Sequence, residues 1–561
     1  MTIYMDIKFE IIKTLRLVGI TGEIELTAPP KPEMGDYAFA CFGLAKERKN
    51  SPVEMAKKLA EDLRPKTKDC CEKVEAFGPY INFFVNPKYL VETVLGKKQP
   101  PEGALAINKK IIIEFACPNT HKAFHIGHLR NIITGESVAR ILSYVGCKVI
   151  RTNYQGDVGM QIAKCLWALT VAEVDDGKDK TLEEKVKILG AAYAKGAKAF
   201  EENENFKKEI VEINDKIYSQ DKSIKKIYTE TRQWSLEYFD KIYARVGAHF
   251  DRFYFESETY ADGIKLVNEY FKKGVFEKGE GGAIIFPGEK YDLHSRVFIT
   301  AKGFPTYEAK DQALARLQFE EYKPNKILHV VGKEQTEYFK VIFKALEFTY
   351  PPSKGKEEHL DYGWVSLKDG KMSSRTGNVI LGEWLLDSVK EEVKKVMKEA
   401  ESLAPDTAEK IAVAAVKYAF LKTGVKNDIS FDLKESVSLT GDSGPYLLYI
   451  LARIKSILAK AGKLSEKIDM PEEIVSVEKK MLLQLAESED ATFLAAQNYD
   501  PSQIAKYLFN LARAFNDFYE NCPVLGSAER VKNFRLRLIS KVGETMDSGL
   551  NLLGIKSVDK M

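Results

Sequence analysis

The run CPNTHKAFHIGHLRN, residues 117–131, holds three of the seven histidines of a 561-residue chain, His121, His125 and His128. His125 and His128 flank Ile126 and Gly127, a spacing that sets two imidazoles together where a helix begins. Neutral imidazoles at such a point donate to phosphoryl oxygens without carrying a full charge. Gly127 lets a nucleotide ring approach the backbone, and the free N–H groups of a helix start favour an anion. Taken alone, the run fits a role as helix cap and packing groups equally well. Zinc is a poorer reading, because histidines at i and i+3 without a third Cys, His or acidic partner leave a ligand set incomplete.

A second stretch, LKDGKMSSRTGN at 367–378, has the makings of a mobile polar loop. Lys371, the hydroxyls of Ser373 and Ser374 beside Met372, and the backbone around Gly377 suit a polyphosphate. By itself it reads as a solvated turn.

The elements that must position these residues can be read around them. KIIIEFA has the short continuous apolar pattern of a strand buried on both faces. After a turn, Leu129, Ile132, Ile133, Val138, Ile141, Leu142 and Val145 recur at helical spacing, and Gly146 supplies the stop. CKVIRTNYQGD then reads as a second strand, so the unit is β-α-β and predicts a doubly wound parallel sheet, whose ligands sit at the carboxyl ends of its strands. The histidine run lies at that end of the first strand.

Around this unit the length predicts about three domains. Residues 1 to about 100 read as a small α+β domain, followed by the linker LGKKQPPEGALAINKK. A sheet domain covers about 107–385 with a charged helical insertion at about 170–250, and a helical bundle runs from about 390 to 561. In the bundle, Tyr446, Leu447, Ile450, Leu451, Ile454, Ile457 and Leu458 share one helix face. The composition, 45 % apolar and 29 % charged, is that of a globular chain. No window approaches a membrane span and the N-terminus lacks a signal peptide, so a cytoplasmic location without membrane contact is expected. Seven cysteines without a C-x-x-C pair predict reduced thiols and no protein-bound metal. A net charge of +3 requires that any polyanion be met by local patches.

The histidine run and the Lys-Met-Ser-Ser loop, placed on one parallel sheet, resemble the two ATP signatures of class I aminoacyl-tRNA synthetases. ACPNTHKAFHIGHLRN, NYQGDVGMQ, FPTYEAKDQALARLQF, VVGKEQTEYFKVIFKAL, GDSGPYLLYILARIKSIL and LARAFNDFYENC are together similar to arginyl-tRNA synthetases over nearly the whole chain. GDYAFACFGLAK, VEAFGPYINFFVN and the closing GLNLLGIKSVDKM resemble that family's N-terminal domain and C-terminus. The resemblance implies a Rossmann-like catalytic domain between an N-terminal tRNA-binding domain and a helical anticodon-binding domain. It implies ATP with Mg2+ as substrate, L-arginine and tRNA(Arg) as the other partners, activation that depends on tRNA, and a monomer.

A guanidinium has five donors and no acceptor, so its pocket must offer carboxylates and oxygens. Tyr307 and Asp311, four apart with Leu314 on the same helix face, put an acid on an otherwise apolar stripe. By resemblance, Asn119 and His128 hold the amino-acid end of arginine, Tyr307 and Asp311 the side chain, Glu256 supplies a second carboxylate, and Gln335 closes the pocket. Lys122, His125, Gly127, His128, Lys371, Met372, Ser373 and Ser374 make the ATP site, with Lys122, His125, His128 and Lys371 catalytic. Three positions depart from the family pattern. Cys117 stands where a serine is usual, Val158 where a tryptophan is usual, and the loop reads Lys-Met-Ser-Ser-Arg, without a second lysine. Lys122 is the candidate for the missing charge. Against the rivals, a cysteine enzyme would need zinc-ligand cysteines, a glutamate enzyme a pocket of opposite charge, and a small nucleotidyltransferase has no use for the helical last third. A degenerate paralogue that binds tRNA without charging it is the alternative from another class.

Overall fold

The computed structural model describes residues 7–96, 108–171, 179–368, 380–397, 405–465 and 468–561. The N-terminal unit packs helices against a four-stranded antiparallel sheet whose longest hairpin joins Cys71–Phe77 to Tyr80–Val85. Gly78 takes the left-handed turn of that hairpin at φ 57°. All seven cysteines are free thiols, the adjacent Cys70 and Cys71 with sulfurs 3.7 Å apart.

The catalytic sheet has five parallel strands: β1 Lys110–Glu114, β2 Lys148–Gln155, β3 Arg252–Phe255, β4 Lys326–Gly332 and β5 Glu357–Tyr362. Their spatial order is β5-β4-β1-β2-β3, every neighbouring pair parallel. β1 shows why its sequence is an unbroken apolar run. Ile111 and Ile113 point into the main core, while Ile112 packs on the other face with Ile150, Phe319 and Ile327. From β1 the chain winds to β2 and β3 on one side and later to β4 and β5 on the other. The order therefore reverses beside β1, and a crevice opens at the carboxyl ends of β1 and β4.

The signature helix, Ile126–Tyr144, follows β1 as the apolar spacing predicts, and Gly146 beyond it is left-handed at φ 97°. The inserted segment forms helices Leu182–Glu202, Glu204–Tyr218 and Lys222–Val246, which share a second apolar cluster with the preceding helix Met160–Val171 around Ile162, Leu166, Trp167 and Ile210. Val158, which stands where a tryptophan is usual, is buried in that cluster. Two features lie beyond the sequence pattern. A three-stranded antiparallel sheet, Glu277–Lys278, Ile284–Phe286 and Arg296–Ile299, is inserted before the pocket helix Tyr307–Tyr322. A short strand, Ile429–Phe431, also interrupts the helical last third and pairs with Val365–Leu367.

One apolar cluster runs from Ile7 through Ile113 and Leu447 to Val558. Its polar centre is Arg130 of the signature helix, 1 % exposed, whose guanidinium donates to the carbonyls of Trp364 (3.0 Å), Val425 (2.8 Å) and Asn427 (2.8 Å). Farther along, Ser137 donates to the Leu552 carbonyl at 2.9 Å, and Arg140 to the Asn551 amide oxygen at 2.7 Å, both at the end of the terminal helix Glu529–Leu552. Hydrogen bonds from a charged donor contribute about 1.5–3 kcal/mol each, and a buried cation left without them costs more. A chain truncated after residue 390 is therefore expected to lose both its cooperative thermal transition and its activity, as scanning calorimetry and an exchange assay would show. A truncated chain that melts cooperatively would contradict this reading of Arg130.

Candidate active site

His125 is the N-cap of the signature helix, and its imidazole does two things at once. Its Nδ1 accepts from the Gly127 amide at 3.1 Å, while the His125 amide donates to Nδ1 of His128 at 3.2 Å. Both Nδ1 atoms being acceptors, both rings carry their proton on Nε2 and present it as a donor. The rings stack with centroids 3.8 Å apart. Burial, then the Lys122 charge, lowers the pKa of His125, and burial, His125 and Lys122 hold His128 well below the ordinary range. Two neutral donors thus face the crevice at neutral pH. A Cβ on residue 127 would lie 3.0 Å from the His125 ring, which leaves Gly127 as the residue that fits. Lys122 is exposed on the lip of the loop, its ammonium 5.4 Å from the Tyr193 ring centroid, and its field reaches both imidazoles.

Below the histidines lies a cavity of about 290 Å³, lined by His125, Gly127, Arg130, Glu334, Trp364 and Ile380. The segment that returns from the polar loop closes one wall, where Ile126 donates to the Ile380 carbonyl at 2.8 Å and Gly382 to the Phe124 carbonyl at 2.9 Å. Lys371, Met372, Ser373 and Ser374 lie outside the described residues.

On the other side of the loop, Asn119 bridges to Gly156 after β2. Residue 156 must lack a side chain, since a Cβ there would lie 2.0 Å from Oδ1 of Asn119 and 3.5 Å from Oε1 of Glu256. Those three groups form one wall. Glu256, 3 % exposed at the start of helix Glu256–Lys272, is paired at 2.5 Å with the buried Lys310 ammonium. Burial raises the Glu256 carboxyl pKa and Lys310 opposes the rise. Tyr307 stands at the opening, 49 % exposed, with Lys310 4.3 Å from its ring centroid. One turn on, Asp311 accepts from the Tyr338 hydroxyl at 2.6 Å. Burial pushes its carboxyl up to about 7 against that hydrogen bond.

Gln335 is exposed at the N-cap of helix Thr336–Thr349 and, among the described residues, makes no side-chain hydrogen bond of the kind Tyr338 makes one turn later. Sequence reasoning also passed over Lys310, the neutralising partner of Glu256, and Glu114, which closes β1. Glu114 accepts from Gln318 at 2.6 Å and from His329 at 2.9 Å, while His329 reaches Glu357 at 2.6 Å. Burial lowers the His329 pKa, yet the two carboxylates lift it to about 10, so the ring is a cation beneath the pocket. A glutamate ending a fully apolar strand was the available signal for this group. Among the described residues no cluster of three or more His, Cys, Asp or Glu side chains is set to hold a metal ion.

Comparison with known proteins decides what this crevice belongs to. A family model described as tRNA synthetases class I (R), catalytic domain, matches residues 90–433. An arginyl tRNA synthetase N-terminal domain matches 5–85, and a DALR anticodon binding domain 447–561. The chain belongs to the arginyl-tRNA synthetase family. An arginine–tRNA ligase of Clostridium perfringens is 33 % identical over 562 residues, covering 98 % of this chain and 97 % of that protein. One of Bdellovibrio bacteriovorus is 32 % identical over 554 residues, with 96 % and 94 % covered. The solved Thermus thermophilus arginyl-tRNA synthetase superposes with a TM-score of 0.81 at 25 % identity over 99 % of both chains. The family's class I fold is the one described above, with its parallel-sheet catalytic domain between an N-terminal unit and a C-terminal helical unit. Among the described residues no helix is long and apolar enough to cross a membrane.

Proposed function

We propose that arginine lies between the Asn119–Gly156–Glu256 wall and Asp311, and that ATP, taken up with Mg2+ as substrate, lies across the signature helix start. As a member of its family the chain is an enzyme, an arginine–tRNA ligase that charges tRNA with arginine in an ATP-dependent reaction. The arginine carboxylate attacks the α-phosphate and pyrophosphate leaves; a ribose hydroxyl at the tRNA 3′ end then attacks the carbonyl and AMP leaves. Neither step needs a protein nucleophile, so the site contributes position and charge. The Nε2–H groups of His125 and His128 donate to phosphoryl oxygens, and Lys122 with Lys371 meets the charge that develops on them. Asp311 pairs with the guanidinium beside the Tyr307 ring, while Asn119 and His128 hold the amino-acid end. Glu256 adds a carboxylate whose charge Lys310 has already balanced, and Gln335 closes over the bound substrate.

Asp311 carries the reading, because a partly desolvated carboxylate with one oxygen tied to a phenol asks for a cation. Its raised pKa has a consequence for binding. Only the ionised form pairs with guanidinium, so arginine binding releases a proton below about pH 7. The KM for arginine is expected to rise about tenfold per pH unit below 7 and to flatten above it, while the KM for ATP stays level. Initial rates from pH 5.5 to 8.5 would show it, and a flat arginine KM would exclude Asp311 as the titrating partner.

For tRNA, the family ranges suggest contacts on both outer units, with the domains bounded near 100 and 390. Of Arg453 and Lys455 on helix Gly444–Ala461, Arg453 is the better placed, stacked 4.6 Å from the Tyr449 and 4.9 Å from the Tyr519 ring centroid. Lys455 is already paired with Asp559 at 2.9 Å. We take the chain to act as a monomer in the cytoplasm. ATP–pyrophosphate exchange with arginine, run with and without tRNA, tests the assignment as a whole. Exchange that ignores arginine would sink it, and a complete absence of exchange with tRNA present would favour a chain that binds tRNA without charging it.

A further inference from the structure

The loops after β1 and β2 and the helix start after β3 carry the arginine pocket's wall, and all three are tied to one helix that belongs to the insertion. That helix, Lys222–Val246, turns Tyr228, Thr231, Arg232 and Ser235 toward the sheet. The loop after β1 reaches it through His121, 1 % exposed and held in the left-handed region at φ 61°. The His121 amide donates to the Ser235 hydroxyl at 2.9 Å, and its Nε2 meets Thr231 Oγ1 at 2.7 Å. Thr231 spends its own proton on the Ile227 carbonyl, so it accepts from His121. The loop after β2 reaches the helix through Asp157, which is fully buried and accepts from Arg232 Nε at 2.9 Å, while Tyr228 donates to its backbone carbonyl at 3.1 Å. The first turn of helix Glu256–Lys272, which follows β3 directly, is drawn in by the same carboxylate, which accepts from the Ser257 amide at 2.8 Å and hydroxyl at 2.7 Å. Arg232 also stacks 4.1 Å from the Phe255 ring centroid.

Between these two nodes stand the pocket residues. Asn119 lies two positions before His121, Gly156 precedes Asp157, and Glu256 sits between Phe255 and Ser257. Thr120 closes the set by donating from its amide to the Gly156 carbonyl at 2.9 Å. Left-handed backbone at a non-glycine residue is strained and persists only where surrounding contacts hold it. Ala116 at φ 73°, Cys117 at φ 43° and His121 put three such residues in the loop before the histidine pair. We propose that the inserted helix sets the width of the arginine pocket, with Asp157 and His121 as positioning residues that pin Asn119 and Glu256 at a fixed separation. The inference rests on the assignment of arginine to that wall. The ATP crevice lies on the opposite side of the loop and is lined by none of these residues.

The test is steady-state aminoacylation by the full chain carrying Arg232→Met, Thr231→Val or Arg232→Lys. Arg232→Met is expected to raise the KM for arginine about tenfold or more and Thr231→Val several-fold, with the ATP KM within about twofold of wild type, because a small misplacement far from the chemistry acts on the substrate it positions. Arg232→Lys, which keeps a charged donor, should recover part of the loss. Should Arg232→Met lose its helical circular dichroism, Thr231→Val, which removes one hydroxyl, decides the matter on the same two constants. An arginine KM within about twofold of wild type in the folded variants, or an ATP KM that rises in proportion, would overturn the proposal. Asp311→Asn assayed in parallel separates the two claims. If it leaves the arginine KM unchanged the pocket assignment falls, whereas the helix variants still report on the clamp.

Discussion

Asp311→Asn is expected to lower kcat/KM for arginine by about 10²- to 10⁴-fold, while the KM for ATP stays within a few-fold of wild type. The magnitude follows from breaking a buried charge pair, about 3–5 kcal/mol, at roughly 1.4 kcal/mol per tenfold. The substitution is nearly isosteric. Its amide oxygen still accepts from the Tyr338 hydroxyl that now meets Asp311 at 2.6 Å, so helix Tyr307–Tyr322 keeps its place and the loss reports on charge. With no group left to titrate near 7, the arginine KM of the variant should also become independent of pH in that range. Aminoacylation at saturating tRNA would measure both effects. Arginine constants close to wild type would remove Asp311 from the site.

Lys122→Ala is expected to lower kcat by about 10²-fold or more, with little change in the KM for ATP, since a charge needed mainly in the transition state acts on rate. Lys122 is exposed, has no carboxylate neutralising it among the described residues, and lies near enough to depress both His125 and His128. Those are the properties of a cation waiting for an anionic ligand. Removing it should let both histidines titrate closer to their ordinary value, an independent readout by NMR. Ser374→Lys, which restores a second loop lysine at a position outside the described residues, should partly rescue the rate. A near-silent Lys122→Ala together with a severe Arg375→Ala would place the compensating cation inside the loop.

What could be read from sequence followed from how strongly local pattern constrains structure. The run Ile111–Ile113 and the helical spacing from Leu129 to Val145 determine their elements because burial on two faces and on one face leave different periods. The acid at Asp311 was legible because it broke an apolar stripe. Gln335 could be placed along the chain but not in space, since resemblance transfers a position and not the direction of a side chain, and here that side chain is exposed. Tyr338 and Lys310 carry no local signal, for a tyrosine and a lysine on amphipathic helices look like surface until the neighbouring helix is in place. The short strand Ile429–Phe431 was hidden for the same reason, its pairing partner lying more than sixty residues upstream.

Arg130 sets an order in time. Its acceptors at Val425 and Asn427 come 295 and 297 residues later in the chain. At about 5–20 residues per second, a ribosome needs on the order of 15 to 60 s to reach them after making the signature helix. Throughout that interval the strand, loop and histidines of the active site exist, but the guanidinium at their centre lacks two of its three carbonyls. The crevice beside the histidines is thus braced by residues of the last third, and a nascent chain completes that brace only after about three-quarters of its 561 residues, up to Asn427, have been made.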